Sequence, residues 1–455
     1  MADEPFLGTG STRWWTLVAA SIATFLVMLD GTAALLALPG LVAEFDAGPG
    51  ARQWVVVAHT APLAAFLLTG GALADRFGHR PAFRLGALLF TAGSVAAGAA
   101  GTLPLLVTAR GFQGVGSALL LATSSALVAH EFPGATRSRT LATAAVLGLA
   151  LGPVTGGVLA EADWRLVFLS VLPAGALLQA IGQVRLPTTR PTAPAAVDWA
   201  GTALFAACAA LVVLGLTGAS TLTAFAVAAF LLLLFLLVQR ARDDEAMLNL
   251  ALFGNRSFLG VSLATFASGA VGAVTVFLAV LHLQDAHGHT PLDVGARLLP
   301  LTLAMIGAAA LARRFAPELP PRAAVGVAAL LTTAGAGLLT LVGPDSTWLA
   351  LLPGVVAAGA GAGVGIPLHH HLSTRATDPA AIVTATRING TCHHLGVTAG
   401  ISALFPYRVV IEQQRLAAAS LNLIALTCAV LGGIFALIAV TQIHRRDLHD
   451  RATGG

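Results

Sequence analysis

Gly70-Gly71-Ala72-Leu73-Ala74-Asp75-Arg76-Phe77-Gly78-His79-Arg80 is a short charged turn between two apolar runs, residues 58–73 and 82–100. In a chain this apolar, so dense a group of polar residues has to lie outside the hydrocarbon core of a bilayer, where charges find water. Three arginines, Arg76, Arg80 and Arg84, stand against one carboxylate, Asp75. The positive-inside bias therefore expects the turn in the cytoplasm. Each later crossing alternates from it.

Composition points the same way. Of 455 residues, 56% are hydrophobic and 10% charged, with a mean hydropathy of +0.84. A soluble domain carries roughly 25% charged residues. The chain reads as an all-α polytopic membrane protein. All 25 basic residues are arginine, which together with abundant Ala and Gly suggests GC-rich codon usage; a bacterial inner (plasma) membrane is the expected location. The arginines are scattered over short loops, so the net charge of +4 carries no nucleic-acid signal. Cys208, Cys392 and Cys428 fall inside apolar runs and read as small buried residues, not a disulfide framework. The first run, residues 14–39, is long enough to remain as a span rather than serve as a cleaved leader.

A spanning helix takes about 20 apolar residues. Such runs fall at roughly 14–38, 54–73, 82–101, 103–125, 139–160, 165–185, 198–217, 221–239, 258–282, 294–312, 323–342, 347–368, 382–404 and 418–443, fourteen in all. With both termini cytoplasmic, the inner segments hold arginines 13, 76, 80, 84, 137, 139, 185, 190, 240, 242, 256, 313, 314, 322, 375, 445, 446 and 451, and the outer ones only 52, 165, 297, 408 and 415. An odd number of spans would scramble that asymmetry. The Pro-rich piece at 186–196 and the polar residues at 239–245 divide the chain into six spans (1–190), two more (191–250) and a final six (251–455). This is the layout of two related bundles with an inserted hairpin, and it puts a substrate path between the bundles near the midplane.

Asp30, in Leu29-Asp30-Gly31-Thr32, is the carboxylate that falls clearly inside a span. A charge there costs at least about 2.5 kcal/mol on insertion scales, so it needs a partner or water. It is either one side of a structural ion pair or a protonatable site, since burial favours the neutral carboxyl. Arg110 in the fourth run and His59 in the second lie at a depth comparable to that of Asp30, roughly 8–12 Å in at about 1.5 Å per residue. The three are expected to form a proton-handling cluster in which Arg110 tunes Asp30 and the imidazole changes charge near neutrality. The plainer reading of His59 is a hydrogen bond to a backbone carbonyl. In the fifth run, Gly148, Gly152 and Gly156 recur every fourth residue beside Pro153 and Gly157. Small residues at that period let a neighbouring backbone approach closely, and a proline adds a kink. The expectation is a tight seam that opens or seals as the bundles rock, with generic helix packing as its alternative.

Taken together, these stretches resemble the major facilitator superfamily and, within it, the fourteen-span drug:proton antiporter branch. Gly71-x-Leu73-Ala74-Asp75-Arg76-x-Gly78-His79-Arg80 resembles the signature loop after span two, with His79 at a place usually basic. Residues 106–118, holding Arg110 and Gln113, resemble the span-four arginine motif, and 148–157 resembles the span-five antiporter motif. Residues 29–39, Trp164-Arg165-Leu166-Val167-Phe168 and Phe253-Gly254-Asn255-Arg256-Ser257-Phe258 are similar to the motifs of spans one, six and nine. The likeness covers nearly the whole chain, with its strong motifs in the first half. It implies export driven by the proton gradient, with Arg110 in proton transfer and Asp75 latching the bundles in the outward-facing state. The chain departs from the pattern at Leu35 and Val171, where relatives often carry Asn, at His59, which replaces a common Tyr, and at Cys392-His393-His394-Leu395-Gly396, where Arg-Gln-Leu-Gly is usual. Gln113, His393 and His394 are expected in the substrate cavity. With Asp30 as the acid and His59, Arg110, Arg387, His393 and His394 leaning basic, the expected cargo is a neutral or weakly acidic organic molecule rather than a permanent cation, whose charge would need acidic groups in a poor solvent.

Other signals carry less. His369-His370-His371 and Cys392-His393-His394 include metal-ligand types, but adjacent histidines on a helix diverge, so no metal is expected, and no cofactor. The alternating glycines 359, 361, 363 and 365 have neither the preceding strand nor the following Lys of a phosphate loop. The short loops leave no room for an enzyme's constellation or a receptor's soluble domain. Expected partners are the bilayer, protons and a small organic substrate, with the protein acting as a monomer. The rival transport reading is uptake by proton symport.

Overall fold

The computed structural model describes residues 10–48, 50–132, 135–187, 197–216, 221–242, 246–315, 319–343, 346–378, 381–405, 417–444 and 448. Most of the Pro-rich connector, the run 243–245 and the segments carrying arginines 190, 408, 415, 445, 446 and 451 lie outside them. Every regular element among the described residues is helical. This is the expected outcome where lipid offers backbone groups no partners, because a helix satisfies its own.

The first bundle comprises α1 (Gly10–Glu44), α2 (Gly50–Phe77), α3 (His79–Gly98), α4 (Leu103–Glu131), α5 (Ala135–Ala162), α6 (Trp164–Leu169) and α7 (Val171–Val184). A hairpin of α8 (Trp199–Leu216) and α9 (Thr221–Arg242) follows. The second bundle holds α10 (Arg256–Leu281), α11 (Pro291–Arg297), α12 (Leu299–Phe315), α13 (Pro321–Leu338), α14 (Leu352–Arg375), α15 (Ile382–Ser402) and α16 (Ala417–Gln442). Helices run longer than the apolar runs suggested: α1 continues through Pro39 to Glu44. Two expected single spans are broken instead, the sixth at Ser170 and the tenth at Leu298.

Among the described residues, twelve helical stretches are long and apolar enough to cross a membrane, against the fourteen runs expected. α3 and α15 account for the difference. α3 opens with His79, Arg80 and Arg84, and α15 carries Arg387, Asn389, His393 and His394. The outer surface is apolar in the way lipid requires: Leu222, Phe230, Leu233 and Leu237 of α9 and Leu423, Val430 and Leu437 of α16 are all exposed. In water, so large a patch would be a liability.

Within the first bundle α1 packs on α5, and α4 on both α2 and α3; within the second, α10 packs on α15 and α16, and α14 on α12 and α13. The bundles meet where α2 lies along α15 and where α5 lies along α11, α12 and α14. The hairpin docks through α8 on α2 and α15. Its base is held by Asp198, which accepts hydrogen bonds from Gln239 Nε2 at 2.5 Å and Arg242 Nη1 at 3.0 Å, while Thr202 meets Thr69 of α2 at 2.8 Å. The start of α10 is set by Asn255, whose Oδ1 accepts from Phe258 N at 3.1 Å and whose Nδ2 donates to Ala376 O at 3.0 Å. This is the side-chain cap that an otherwise unsatisfied helix start needs.

Candidate functional site

α1, α2 and α4 converge on one buried polar cluster. Asp30 and Arg110 are each about 1% exposed. Arg110 Nη1 donates to Asp30 Oδ2 at 2.6 Å and to Gln113 Oε1 at 2.7 Å, and its Nε donates to Val55 O at 3.3 Å. Gln113 Nε2 in turn donates to Asp30 Oδ1 at 3.0 Å and to Ser94 Oγ at 3.2 Å, and Ser94 passes its own hydroxyl to Phe168 O at 2.8 Å. The Phe168 ring lies 5.4 Å from the Arg110 guanidinium carbon. A buried ion pair holds only when its remaining lone pairs and protons are also satisfied, and Gln113, Val55 and Ser94 meet that need. Gly114 permits the approach: a Cβ there would fall on the backbone carbonyl of His59.

His59 belongs to the same cluster but faces a different neighbour. Its Nδ1 lies 3.8 Å from Asp30 Oδ2 without a hydrogen bond, and its Nε2 lies 3.4 Å from Ser117 Oγ. Of this group, His59 alone lines a cavity of about 280 Å³ between the bundles. From the first bundle the cavity is walled by α1, α2, α4 and α5, and from the second by α10, α12, α14 and α15, with His369, Arg387, Asn389, His393 and His394 among its lining residues. Gln113 does not line it. The expectation that placed Gln113 in a substrate cavity is corrected, because its amide is used up between Arg110, Asp30 and Ser94. Sequence reasoning also passed over Ser94, Ser117 and the Val55 carbonyl; uncharged polar groups in an apolar run give no signal of which face they take.

The two ends of the cavity are joined differently. At the Asp75 end, the α2–α3 turn touches the second bundle: Arg387 Nη1 and Nη2 of α15 donate to Asp75 Oδ2 and Oδ1 at 2.9 and 3.2 Å. Gly71 makes this contact possible, since a Cβ would sit 2.5 Å from Arg387 Nε. Gly78 carries φ +97°, a conformation that side chains rarely adopt. Arg80 Nε donates to Gly182 O at 3.0 Å and Arg80 Nη2 to Gln183 O, binding α3 to the carbonyls that end α7. Arg76 is exposed, with its guanidinium 5.7 Å from the Phe77 ring. At the Glu44 end, Arg52 pairs with Asp285, Trp54 and Phe405 stand 5.4 Å apart, and Glu161 accepts from Leu292 N at 2.9 Å. Arg165 and Trp164 both donate to Glu44, fixing α6 against α1.

α5 uses its small residues on two faces. Gly148, Gly152 and Gly156 lie against α1 of the same bundle: Cβ atoms would meet Met28 Cβ at 3.0 Å, Leu29 O at 2.8 Å and Ala33 O at 2.5 Å. Pro153 lacks the N–H that would have bonded Leu149 O, and that carbonyl instead accepts from Thr32 Oγ1 of α1 at 3.1 Å. The face towards the second bundle includes Gly157, whose Cβ would lie 2.7 Å from Pro291 O and 3.1 Å from Gly295 Cα of α11. The seam between bundles therefore runs along the Ala150, Pro153 and Gly157 face of α5, where Thr302 Oγ1 of α12 also donates to Ala150 O at 2.6 Å, while the glycine triplet expected there from its period faces α1.

Residues 20–401 match the family model described as Major Facilitator Superfamily. The chain is 34% identical over 371 residues to the lincomycin resistance protein of Streptomyces lincolnensis, covering 77% of this chain and 73% of that one. It is 32% identical over 421 residues to a puromycin resistance protein of Streptomyces alboniger (87% and 82% covered) and 30% identical over 415 residues to a cephamycin export protein of Amycolatopsis lactamdurans (87% and 85%). Among solved structures, a bacterial homologue of the human lysosomal transporter Spinster superposes with a TM-score of 0.67 at 16% identity, covering 98% of this chain and all of that one. A peptide transporter does so with 0.67 at 18%, covering 95% and 96%. Their fold is this fold, and the chain belongs to the Major Facilitator Superfamily.

Proposed function

We propose that this chain exports small organic molecules, antibiotics or related metabolites among them, in exchange for protons. The observation that carries the reading is Asp30: a fully buried carboxylate paired with Arg110 and Gln113, one residue removed through His59 from a cavity between two bundles. Protons reach Asp30 from the cavity past His59, and Arg110 sets how readily the carboxyl accepts one. The resistance and export proteins that resemble the chain support the direction of transport.

The finer architecture rests on the same footing. Fourteen spans are inferred because α3 lies along α4, and α15 along α10 and α2, for lengths of 20 and 21 residues. Residues 1–190, 191–250 and 251–455 form the first bundle, the inserted hairpin and the second bundle. The arginine asymmetry puts the Asp75 end and both termini in the cytoplasm. One chain holds both bundles and acts as a monomer, in a bacterial inner membrane.

In everted vesicles loaded with protons by respiration, cargo uptake should stop when a protonophore collapses the gradient. Transport indifferent to that collapse would defeat the coupling, and cargo moving out together with protons would favour symport. Arg110→Lys should lower coupled export by about tenfold or more. One ammonium cannot reproduce a planar fork that reaches Asp30, Gln113 and Val55 at once. Wild-type rates for that variant would remove the guanidinium geometry from the mechanism.

A further inference from the structure

Among the described residues, those lining the cavity include His59, His369, His393, His394, Asn389 and Arg387 and no carboxylate. Arg387 stands apart because it faces two ways. Its terminal nitrogens hold Asp75, yet the residue also lines the cavity, and its side chain is only 8% exposed. Its third nitrogen, Nε, is buried without a hydrogen-bond partner. His369 Nε2 on the adjoining α14 is likewise buried and unpartnered. A buried donor of a cationic group left unmade is costly, so Asp75 alone leaves this guanidinium with unused hydrogen-bonding capacity. Asp75 by contrast is 41% exposed, so water can solvate it when Arg387 turns away.

Resting on the reading of this cavity as the cargo site, we propose that Arg387 receives an anionic group of the cargo, an aromatic carboxylate or phenolate. Such a cargo draws the guanidinium from Asp75 and loosens the joint between α2 and α15. The bidentate fork of arginine suits two oxygens of one carboxylate, and it serves Asp75 or the cargo but not both fully. Once the cargo anion is in the cavity, pairing matters more to it than to Asp75, because it has no water to fall back on there whereas the exposed Asp75 does. Differential affinity of this kind is what allows a ligand to shift a conformational equilibrium. A permanent cation brings Arg387 no acceptor and finds no carboxylate in the lining.

The test uses full-length protein in nanodiscs with two probes of one shape, 2-naphthoate and 2-naphthamide. Naphthoate should bind at least about tenfold more tightly. Arg387→Gln should weaken naphthoate by about tenfold to a hundredfold while leaving naphthamide unmoved, and Arg387→Lys should keep part of the preference. Asp75→Asn should tighten naphthoate severalfold, since the competing carboxylate is gone. A merely structural latch predicts the opposite pattern, because both variants break the same ion pair and would shift binding in the same direction. Equal binding of the two probes, or parallel shifts in Arg387→Gln and Asp75→Asn, overturns the proposal. Spin labels at Phe77→Cys and Val383→Cys, with Cys208, Cys392 and Cys428 replaced by Ser, should move apart with naphthoate and not with naphthamide; tight naphthoate binding without that movement also overturns it. Naphthoate that binds in this manner but is not driven by a pH gradient would count against proton-coupled export alone.

Discussion

Asp30→Asn should give a folded protein whose proton-driven export is lower by about a hundredfold or more, the scale on which loss of a positioned proton-transferring group is felt. The variant is nearly the same shape, so packing alone changes little. Its chemistry fails at two points. Asp30 now accepts from Arg110 on one oxygen and from Gln113 on the other. An amide has one acceptor and one donor, so whichever way it turns, an NH2 faces either the guanidinium or the Gln113 amide. It also leaves the Arg110 charge uncompensated in a site about 1% exposed, and it cannot take a proton. Exchange of cargo down its own gradient needs no proton and should persist. The measurement is therefore paired: gradient-driven export lost in everted vesicles, cargo counterflow retained in proteoliposomes. Gradient-driven export at wild-type rate would show that Asp30 is a structural ion-pair member and that protons bind elsewhere.

How much of this was legible beforehand depends on which property decided each feature. Apolar length placed most helices, because lipid leaves a chain few alternatives. It also marked α3 and α15, as the runs 82–101 and 382–404, although residues such as Arg84, Arg387 and His393 dilute their apolar average, but it gave no sign of the breaks at Ser170 and Leu298. Helical depth was enough to group Asp30, His59 and Arg110, since rise per residue is fixed once each span is anchored. Direction around the helix was not available: nothing in a run of Ala, Gly and Leu says that Gln113 turns to Asp30 while His59 also turns to the cavity. Pairings across the chain were further out of reach. Asp75 and Arg387 lie 312 positions apart, and only the packing of α2 on α15 brings them together. The glycine triplet shows the same limit. Its period correctly marks a close helix contact, but period alone cannot say whether the neighbour is α1 of the same bundle or α11 of the other.

That distinction gives neighbouring glycines of α5 opposite expected failures. Gly156→Val puts a Cβ 2.5 Å from Ala33 O and 2.7 Å from Ala33 Cα, both backbone atoms of α1 that no rotamer change can move aside. The helices would have to part along a contact that also holds Thr32 to Leu149 O. Overpacking of this kind costs about 1–3 kcal/mol, and the expected result is less folded protein in the membrane and a lower melting temperature. Gly157→Val meets Pro291 O at 2.7 Å and Gly295 Cα at 3.1 Å, which belong to the other bundle. Those atoms withdraw if the bundles separate at the Glu44 end, so the fold can stay intact while the closed arrangement at that end is disfavoured. By the same 1–3 kcal/mol, the ratio of molecules closed to open at the Glu44 end should fall by roughly fivefold to 150-fold, and turnover should fall with it. Thiol labelling of Trp54→Cys, at the closed Glu44 end beside Phe405, reports the difference: faster in Gly157→Val at normal expression, and unchanged per folded molecule in Gly156→Val. Equal labelling in the two variants would mean that α5 and α11 do not part there during transport.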